Sequence, residues 1–274
     1  MRIAKAFQYG PIHACKLGYW PFGRPKMFVH LFFVDGLLID TGQSNMRKEV
    51  LQQIAQWSVQ QVYITHHHED HSGNLAAVQE HCSCPTYASS LCVEMMKDPP
   101  GISPAQWLTW GPSAANFSLI AQDQQVQTAQ YRFDIIPVPG HAEDMVCLHE
   151  AQQGWLFSAD LFVSEYIRFF MRRERMRRQI ASIKKVLALD FELLLCNHNP
   201  QLSRGKEQLK NKLQFLEDFY GTVQKYHEQG LPLMAIYKKM KLKPDGFLRY
   251  LSLGELSTRN MIRSVIRDEK EPKS

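Results

Sequence analysis

The chain carries Thr65-His66-His67-His68-Glu69-Asp70-His71-Ser72-Gly73-Asn74 directly after the apolar run Val62-Tyr63-Ile64. Imidazole and carboxylate are the ligand types that suit zinc and similar divalent ions. If Val62 to Thr65 is a buried strand and the chain continues extended from it, His66 and His68 share a face, because side chains two apart point the same way. Asp70 and His71 then fall where the chain has to turn. Gly73 permits that turn, and Leu75, Ala76 and Val78 read as the inner face of a short helix behind it. A solvated polar loop is the plainer reading of such a run. An appended tag is excluded, since the run is interior and interrupted by carboxylates. Spacing favours a metal site, and context decides it: a true site needs further ligands downstream, each at the end of a structural element.

The pattern His66-x-His68-x-Asp70-His71 resembles the signature of the metallo-β-lactamase superfamily, and further motifs follow in that family's order. Ile135-Ile136-Pro137-Val138-Pro139-Gly140-His141 matches its strand and Pro-Gly-His turn. Trp155-Leu156-Phe157-Ser158-Ala159-Asp160 matches the strand that ends in a bridging aspartate, and Leu193-Leu194-Leu195-Cys196-Asn197-His198 the strand that ends in the last histidine. Leu37-Leu38-Ile39-Asp40-Thr41-Gly42 matches the Asp-Thr-Gly hairpin that precedes the first histidines. The resemblance spans about Phe28 to His198 and implies an α/β fold, the αββα sandwich of that family.

The same resemblance implies that His66, His68 and His141 hold one metal and Asp70, His71 and His198 a second, with Asp160 bridging. Two Zn2+ are expected, with Fe or Mn as the alternative. An open coordination position on each ion separates catalytic from structural zinc. A water shared by ions roughly 3.5 to 4 Å apart has its pKa lowered to near 7 and supplies a hydroxide nucleophile. Asp70 is the catalytic candidate, as proton acceptor for that water in a mononuclear variant. Asp40 is expected behind the ligands, accepting a hydrogen bond that fixes one histidine's tautomer. His67 and Glu69 alternate with the ligands and are expected to face away. There are departures from the family: Ala142-Glu143-Asp144-Met145 replaces a second Gly-His or Gly-Ser, and Asn199-Pro200 replaces the glycine usual after the last histidine. Nothing matches the C-terminal glutathione-binding residues of glyoxalase II.

At 274 residues the chain can bury a core as one large or two small domains. The expected division is a metal-hydrolase domain over 1–202 and a helical extension over 203–274, similar to the winged-helix-like appendages of some family members. No apolar run approaches the ~20 residues of a membrane span, and the N-terminus has no signal-peptide core, so a cytoplasmic location is expected. Six scattered cysteines fit that compartment as reduced thiols. The net charge of +5 is mild, but Arg168, Arg172, Arg173, Arg175, Arg177, Arg178, Lys184 and Lys185 cluster. A solvated helix face is the favoured reading, ahead of a rim that attracts anions.

Around these motifs, Arg2 to Phe7 reads as a first strand, followed by an aromatic loop with Trp20 and Phe22. Asp35-Gly36 between apolar runs predicts a two-residue hairpin. Val50, Leu51, Ile54 and Trp57 recur at helical spacing. A second aromatic patch, Trp107 and Trp110, is expected in a connecting loop after the breaker run Asp98 to Pro104. With Trp20 and Phe22 it supplies the candidate substrate contacts. A second sheet is expected to begin near Phe117 to Ile120. Beyond Leu202 one long helix, a second around Ile236 and a third starting at Ser257 are expected, Ser257 capping the last.

The expected function is therefore a dinuclear zinc hydrolase cleaving a small ester, thioester or lactone. A phosphodiesterase or nuclease and an iron-dependent redox enzyme are the alternatives. A small molecule is the expected partner, a homodimer is conceivable, and neither nucleic acid nor membrane is expected.

Overall fold

The computed structural model describes residues 1–270. Strands β1 (Arg2–Tyr9) and β2 (Ile12–Tyr19) form an antiparallel hairpin, and β3 (Val29–Val34) and β4 (Leu37–Ile39) form the next. The second hairpin closes on Asp35 and Gly36, with φ of 45° and 84°. Both values are positive, as a two-residue turn that follows the strand twist requires. Helix α1 (Arg47–Ile54) then returns the chain to a parallel strand, β5 (Gln61–Ile64). The one-turn helix α2 (Glu69–Ser72) and helix α3 (Leu75–Cys82) lead to β6 (Thr86–Ala88). Helices α4 (Ser90–Met95) and α5 (Pro104–Trp110) precede β7 (Ile120–Ala121), which pairs with β6 and completes a seven-stranded sheet in the order β1 to β7.

The second sheet has β8 (Gln125–Gln127), β9 (Arg132–Pro137), β10 (Val146–Glu150), β11 (Trp155–Ala159) and β12 (Leu193–Cys196), in the order β12-β11-β10-β9-β8. The parallel pair β11 and β12 is joined through helix α6 (Met176–Leu187). Between the sheets lies a core with Phe32, Tyr63, Phe133, Phe157 and Leu195, in which the Phe157 ring stands 5.5 Å from Phe32 and 5.9 Å from Phe133. Residues of β3 and β4 are buried throughout, because the other sheet covers one face and α1 and α3 cover the other. The result is an αββα sandwich.

Helix α7 (Gly205–Glu228) packs on α6, and its inner residues Leu209, Leu216 and Val223 join Leu156 of β11 and Leu194 of β12 in one core. Helices α8 (Leu233–Lys239), α9 (Gly246–Leu251) and α10 (Thr258–Lys270) follow among the described residues, and Ile236, Met261, Ile262 and Val265 extend that core. The Ser257 hydroxyl accepts from the Arg259 amide at 3.0 Å, so Ser257 does begin α10, assisted by Asp245, which accepts from the Thr258 amide at 2.8 Å. The short α9 has no counterpart among the expected elements. No helix among the described residues is long and apolar enough to cross a membrane.

Three expectations are corrected. Ile120 belongs to the first sheet, paired with Tyr87, and the second sheet starts with β8. Trp107 and Trp110 lie on helix α5, not in a loop. The breaker run hides a helix start, in which Ser103 and Gln106 form a capping box and Pro104 occupies the first turn. Gly73 is needed for closeness, not for its backbone freedom: it is helical at φ −59°, but a Cβ there would stand 2.4 Å from the Glu69 carbonyl and 2.8 Å from the Ser44 amide.

Candidate metal centre

The site sits at one end of both sheets, where four strands release single side chains. Asp40 leaves β4 with φ 61° and is wholly buried. Its Oδ1 accepts from the Thr65 amide at 2.8 Å. Its Oδ2 accepts from the Thr65 hydroxyl at 3.0 Å, the Asn197 amide group at 2.9 Å and His71 Nδ1 at 2.8 Å. One carboxylate thus ties together the ends of β4, β5 and β12. It also fixes the His71 proton on Nδ1 and leaves Nε2 to face the site. Thr41 and Asn74 hold the α2 turn from the same side: the Thr41 amide donates to the His71 carbonyl at 2.7 Å, and Asn74 Nδ2 donates to the carbonyls of Thr41, Gly42 and Gln43.

The second sheet contributes three residues. Gly140 precedes His141 at φ 137°, and a Cβ there would stand 2.5 Å from the Gln179 amide at the start of α6. Asp160 follows Ala159, whose φ of 45° accompanies a register shift between β11 and β12. Bulges of this kind re-aim a side chain at a sheet end. His198 donates from Nδ1 to the Phe28 carbonyl at 2.8 Å, which turns its Nε2 inward.

Two groups of ligand atoms result, each with all its atoms within 4.8 Å of one another: His66, His68 and His141, and Asp70, His71, Asp160 and His198. In the first, His68 Nδ1 stands 3.0 Å from both His66 Nε2 and His141 Nε2. In the second, His198 Nε2 is 3.3 Å from Asp70 Oδ2 and 3.1 Å from Asp160 Oδ2, and His71 Nε2 is 3.3 Å from Asp160 Oδ1. Asp160 Oδ2 is also 3.4 Å from His141 Nε2, so this aspartate stands between the groups. His71 Nε2 and Asp160 Oδ1 are buried with no hydrogen-bond partner. Buried polar atoms without partners are costly, and lone pairs converging this closely fit a cation between them.

The two groups differ in charge. Burial, then His71 and its neighbouring histidines, holds His66 well below the usual histidine range, and burial and His141 do the same to His68. Burial opposes protonation of His71 and His198 as well, yet Asp160, with Asp40 and Asp70 or with Asp70 alone, holds both well above that range. His141 is also raised against its burial, by Glu174, whose Oε2 is 3.4 Å from Nδ1, and by Asp160. Asp160 in turn is held well below the carboxylate range, despite burial, by His198 and His71.

A cavity of about 230 Å3 opens over these atoms, with Met27, Trp110, Val163, Ile167, Phe169 and Leu248 as apolar walls. A second, of about 270 Å3, shares His68, Glu69, Gln106, His141 and Met171 with it and reaches Arg172 and Arg173. Of the expected aromatic contacts the structure brings in only Trp110, which is 7% exposed, its ring 6.0 Å from that of His198. Trp20 and Phe22 pack edge to face on each other, Phe22 being 77% exposed, and Trp107 is 58% exposed on the outer side of α5; none of the three lines either cavity.

His67 donates through its amide and Nδ1 to Asp144, each at 2.8 Å, locking the histidine loop to the turn after His141. Glu69 was expected to face away, but it lines both cavities. Strand alternation ends at His68, where α2 begins and rotates the next side chain inward. Burial and Asp70 push the Glu69 carboxyl up to about 7. Lys212 also reaches the cavity and was missed. Its ammonium donates to the carbonyls of Leu161 and Phe162 at 2.7 and 2.8 Å, and burial pushes it down to about 8. Its signal was a lysine within the apolar stripe of Leu209, Leu216 and Val223, which buries it.

Residues 32–198 match the family model described as Metallo-beta-lactamase superfamily. A Hydroxyacylglutathione hydrolase of Aeromonas salmonicida is 27% identical over 202 residues, which is 72% of this chain and 70% of that protein. An uncharacterized protein of Aquifex aeolicus is 23% identical over 180 residues, 65% of this chain and 84% of its own length. Among solved structures, a beta-lactamase domain protein from Burkholderia ambifaria superposes with a TM-score of 0.70 at 13% identity, over 96% of this chain and 89% of that one. With the family model covering most of the sandwich and the ligand groups lying at its strand ends, the chain belongs to the metallo-β-lactamase superfamily.

Proposed function

We propose that this chain is a metal-dependent hydrolase that takes two Zn2+ and cleaves a small ester, thioester or lactone. The observation that carries this reading is Asp160 standing between two groups of converging ligand atoms. His66, His68 and His141 would hold one ion, and Asp70, His71 and His198 the other, with Asp160 shared. Bound zinc supplies an acidified water and a Lewis acid for a carbonyl oxygen.

The protein's own groups prepare the rest. Asp40 and the Phe28 carbonyl keep the protons of His71 and His198 on the outward nitrogens, so that their inward lone pairs are free. Asp70 Oδ2, at the cavity wall, is placed both to ligate and to accept a proton locally. Glu69, pushed up toward neutrality, is a second proton carrier on the same wall. The apolar walls around Trp110 and Phe169 suit an acyl group and shed water from it. The relatedness to a Hydroxyacylglutathione hydrolase supports an acyl-transfer-to-water reaction of this kind. A cytoplasmic, small-molecule role follows from the same reading.

Elemental mass spectrometry on protein purified without added metal, beside a panel of esters, thioesters and lactones, tests this. About two zinc per chain with turnover of at least one panel class is the expected result. One iron per chain with oxygen-dependent activity, or a zinc-loaded protein inert on the whole panel, would sink it.

A further inference from the structure

Beyond the two cavities over the ligands, a cleft of about 640 Å3 lies among the last helices, lined by Arg172, Arg249, Arg259, Arg263, Arg267 and Tyr250. No carboxylate lines it among the described residues. Arg259, Arg263 and Arg267 recur every four residues and so share one face of α10, where like charges repel. Arg249 comes from α9 and Arg172 from the segment before α6.

The nearby acceptors take up part of this charge and leave Arg249 and Arg263 with no carboxylate partner among the described residues. Arg172 pairs with Glu255 and donates to the carbonyls of Leu253 and Gly254. Arg263 donates to Asn260 Oδ1, and Arg267 to the Glu174 carbonyl at 2.9 Å. Arg259 lies over the Tyr237 ring and near Asp245, yet its Nε is buried with no acceptor. Arginine forks gathered in a concave space focus a positive field and match phosphate oxygens two at a time.

The cleft also adjoins the ligand side of the molecule. Arg172 lines both it and the 270 Å3 cavity that reaches His68 and His141. The apolar cavity meets that second cavity across the same two histidines. The apolar cavity, the ligand groups and the arginine cleft therefore lie side by side, with Arg172 on the wall that the cleft shares with the 270 Å3 cavity.

We propose that the cleft holds a phosphate group on the leaving-group side of the substrate, so that the chain hydrolyses acyl esters or thioesters of a phosphorylated small carrier. Water adds across the acyl–oxygen or acyl–sulfur bond, giving a carboxylate, a proton and the phosphorylated alcohol or thiol, with no change of oxidation state. This inference rests on the hydrolase reading above for the reaction, and on the cleft alone for the anion. A small carrier is favoured over a nucleic acid because the charge lines a concavity beside the ligand-side cavity, and not a stripe across a convex face.

S-acetylpantetheine and S-acetyl-4′-phosphopantetheine differ only in a terminal phosphate, and serve as the probe pair for the metal-loaded full chain. The expected kcat/KM favours the phosphate-bearing thioester at least tenfold. The preference collapses in Arg249→Gln/Arg263→Gln and returns in part in Arg249→Lys/Arg263→Lys, while the thermal midpoints of both variants certify folding. Pyrophosphate binding by calorimetry, expected to weaken at least tenfold in the glutamine variant but to persist in Asp160→Asn, reads the cleft without the reaction. Equal hydrolysis of the two thioesters by the wild type overturns the proposal and leaves the hydrolase reading intact. No hydrolysis of either, with arginine-dependent pyrophosphate binding, supports the anion site while the hydrolase reading falls. Arginine-dependent binding of single-stranded RNA with no pyrophosphate binding overturns the small-carrier assignment.

Discussion

The two ligand groups are close neighbours with opposite electrostatic designs. His66, His68 and His141 converge with no carboxylate ligand of their own, and burial keeps His66 and His68 neutral. His71 and His198 face Asp70 and Asp160 and are held protonated when nothing else supplies positive charge. In the first group His66 and His68 are ready-made neutral lone pairs, and only His141 is raised, by Glu174 and Asp160. The second is an ion-paired set from which a cation must displace protons. The groups should therefore load differently with metal, although one residue, Asp160, touches both.

Removing that shared residue is the strongest way to break the distinction. Asp160→Asn keeps the shape but removes the charge that touches both groups. Metal content is expected to fall from about two per chain toward zero, with turnover reduced by roughly a thousandfold, the scale of losing a central electrostatic group. His68→Ala, by contrast, should empty the first group and leave about one metal in the second. If Asp160→Asn and His68→Ala lose the same single metal, the two groups are not independent sites.

Asp40→Ala acts on the second group from behind. Four donors, from Thr65, His71 and Asn197, lose their buried acceptor. The expected cost is about 2–4 kcal/mol of stability, since unsatisfied buried donors carry their full desolvation penalty. Metal affinity at the second group should also drop about 10- to 100-fold, the usual effect of losing a carboxylate that orients a ligand histidine. Chemical unfolding of metal-free protein separates the first effect from the second, which a metal titration reads. An unchanged unfolding midpoint would show that Asp40 is not the tie the hydrogen bonds describe.

How far this was readable from the chain differs between the two sheets. The first sheet announces its contribution as one contiguous string, because a single turn after β5 delivers His66, His68, Asp70 and His71. The second sheet contributes His141, Asp160 and His198 one at a time, each legible only through its strand-ending motif and the family resemblance. For Lys212 the apolar stripe of α7 signals burial, but its partners, the carbonyls of Leu161 and Phe162, lie about fifty positions away in sequence and are not signalled locally. Glu69 escaped because strand alternation was extended one residue into a helix. The aromatic rim was over-read for a related reason: exposure of Phe22 and Trp107 is set by tertiary placement, which neither composition nor spacing encodes.

The charge difference also predicts an unusual pH profile for the metal-free chain. His71 and His198 have folded pKa values raised above the ordinary 6.5 or so, and the stability they add is complete below that value and lost as pH rises through the raised range. His66 and His68 have lowered folded values, so the chain loses stability as pH falls from about 6.5 toward those lowered values. The unfolding midpoint in denaturant should therefore peak near neutrality and decline on both sides. Saturating zinc should reverse the alkaline limb, because metal binding releases the protons that His71 and His198 otherwise hold. His66→Gln should flatten only the acidic limb, and a profile that changes on the alkaline side instead would mean the two groups share one titration.

The smallest effects on activity test the cavity wall. Trp110 and Trp107 sit one turn apart on α5, but Trp110 is 7% exposed beside His198 and Trp107 is 58% exposed. Replacing Trp107 by alanine removes little buried area, so stability should move by no more than about 0.5 kcal/mol and KM for a short-acyl thioester should hold. Trp110→Ala opens the apolar cavity and unpacks the ring next to His198, which should raise KM several-fold for medium-chain acyl groups more than for acetyl, with a stability loss of about 3–5 kcal/mol for a large buried aromatic. The contrast between chain lengths is the informative quantity: a uniform rise in KM would place Trp110 in the support of His198, whereas a rise that grows with acyl length places its ring against the acyl group itself.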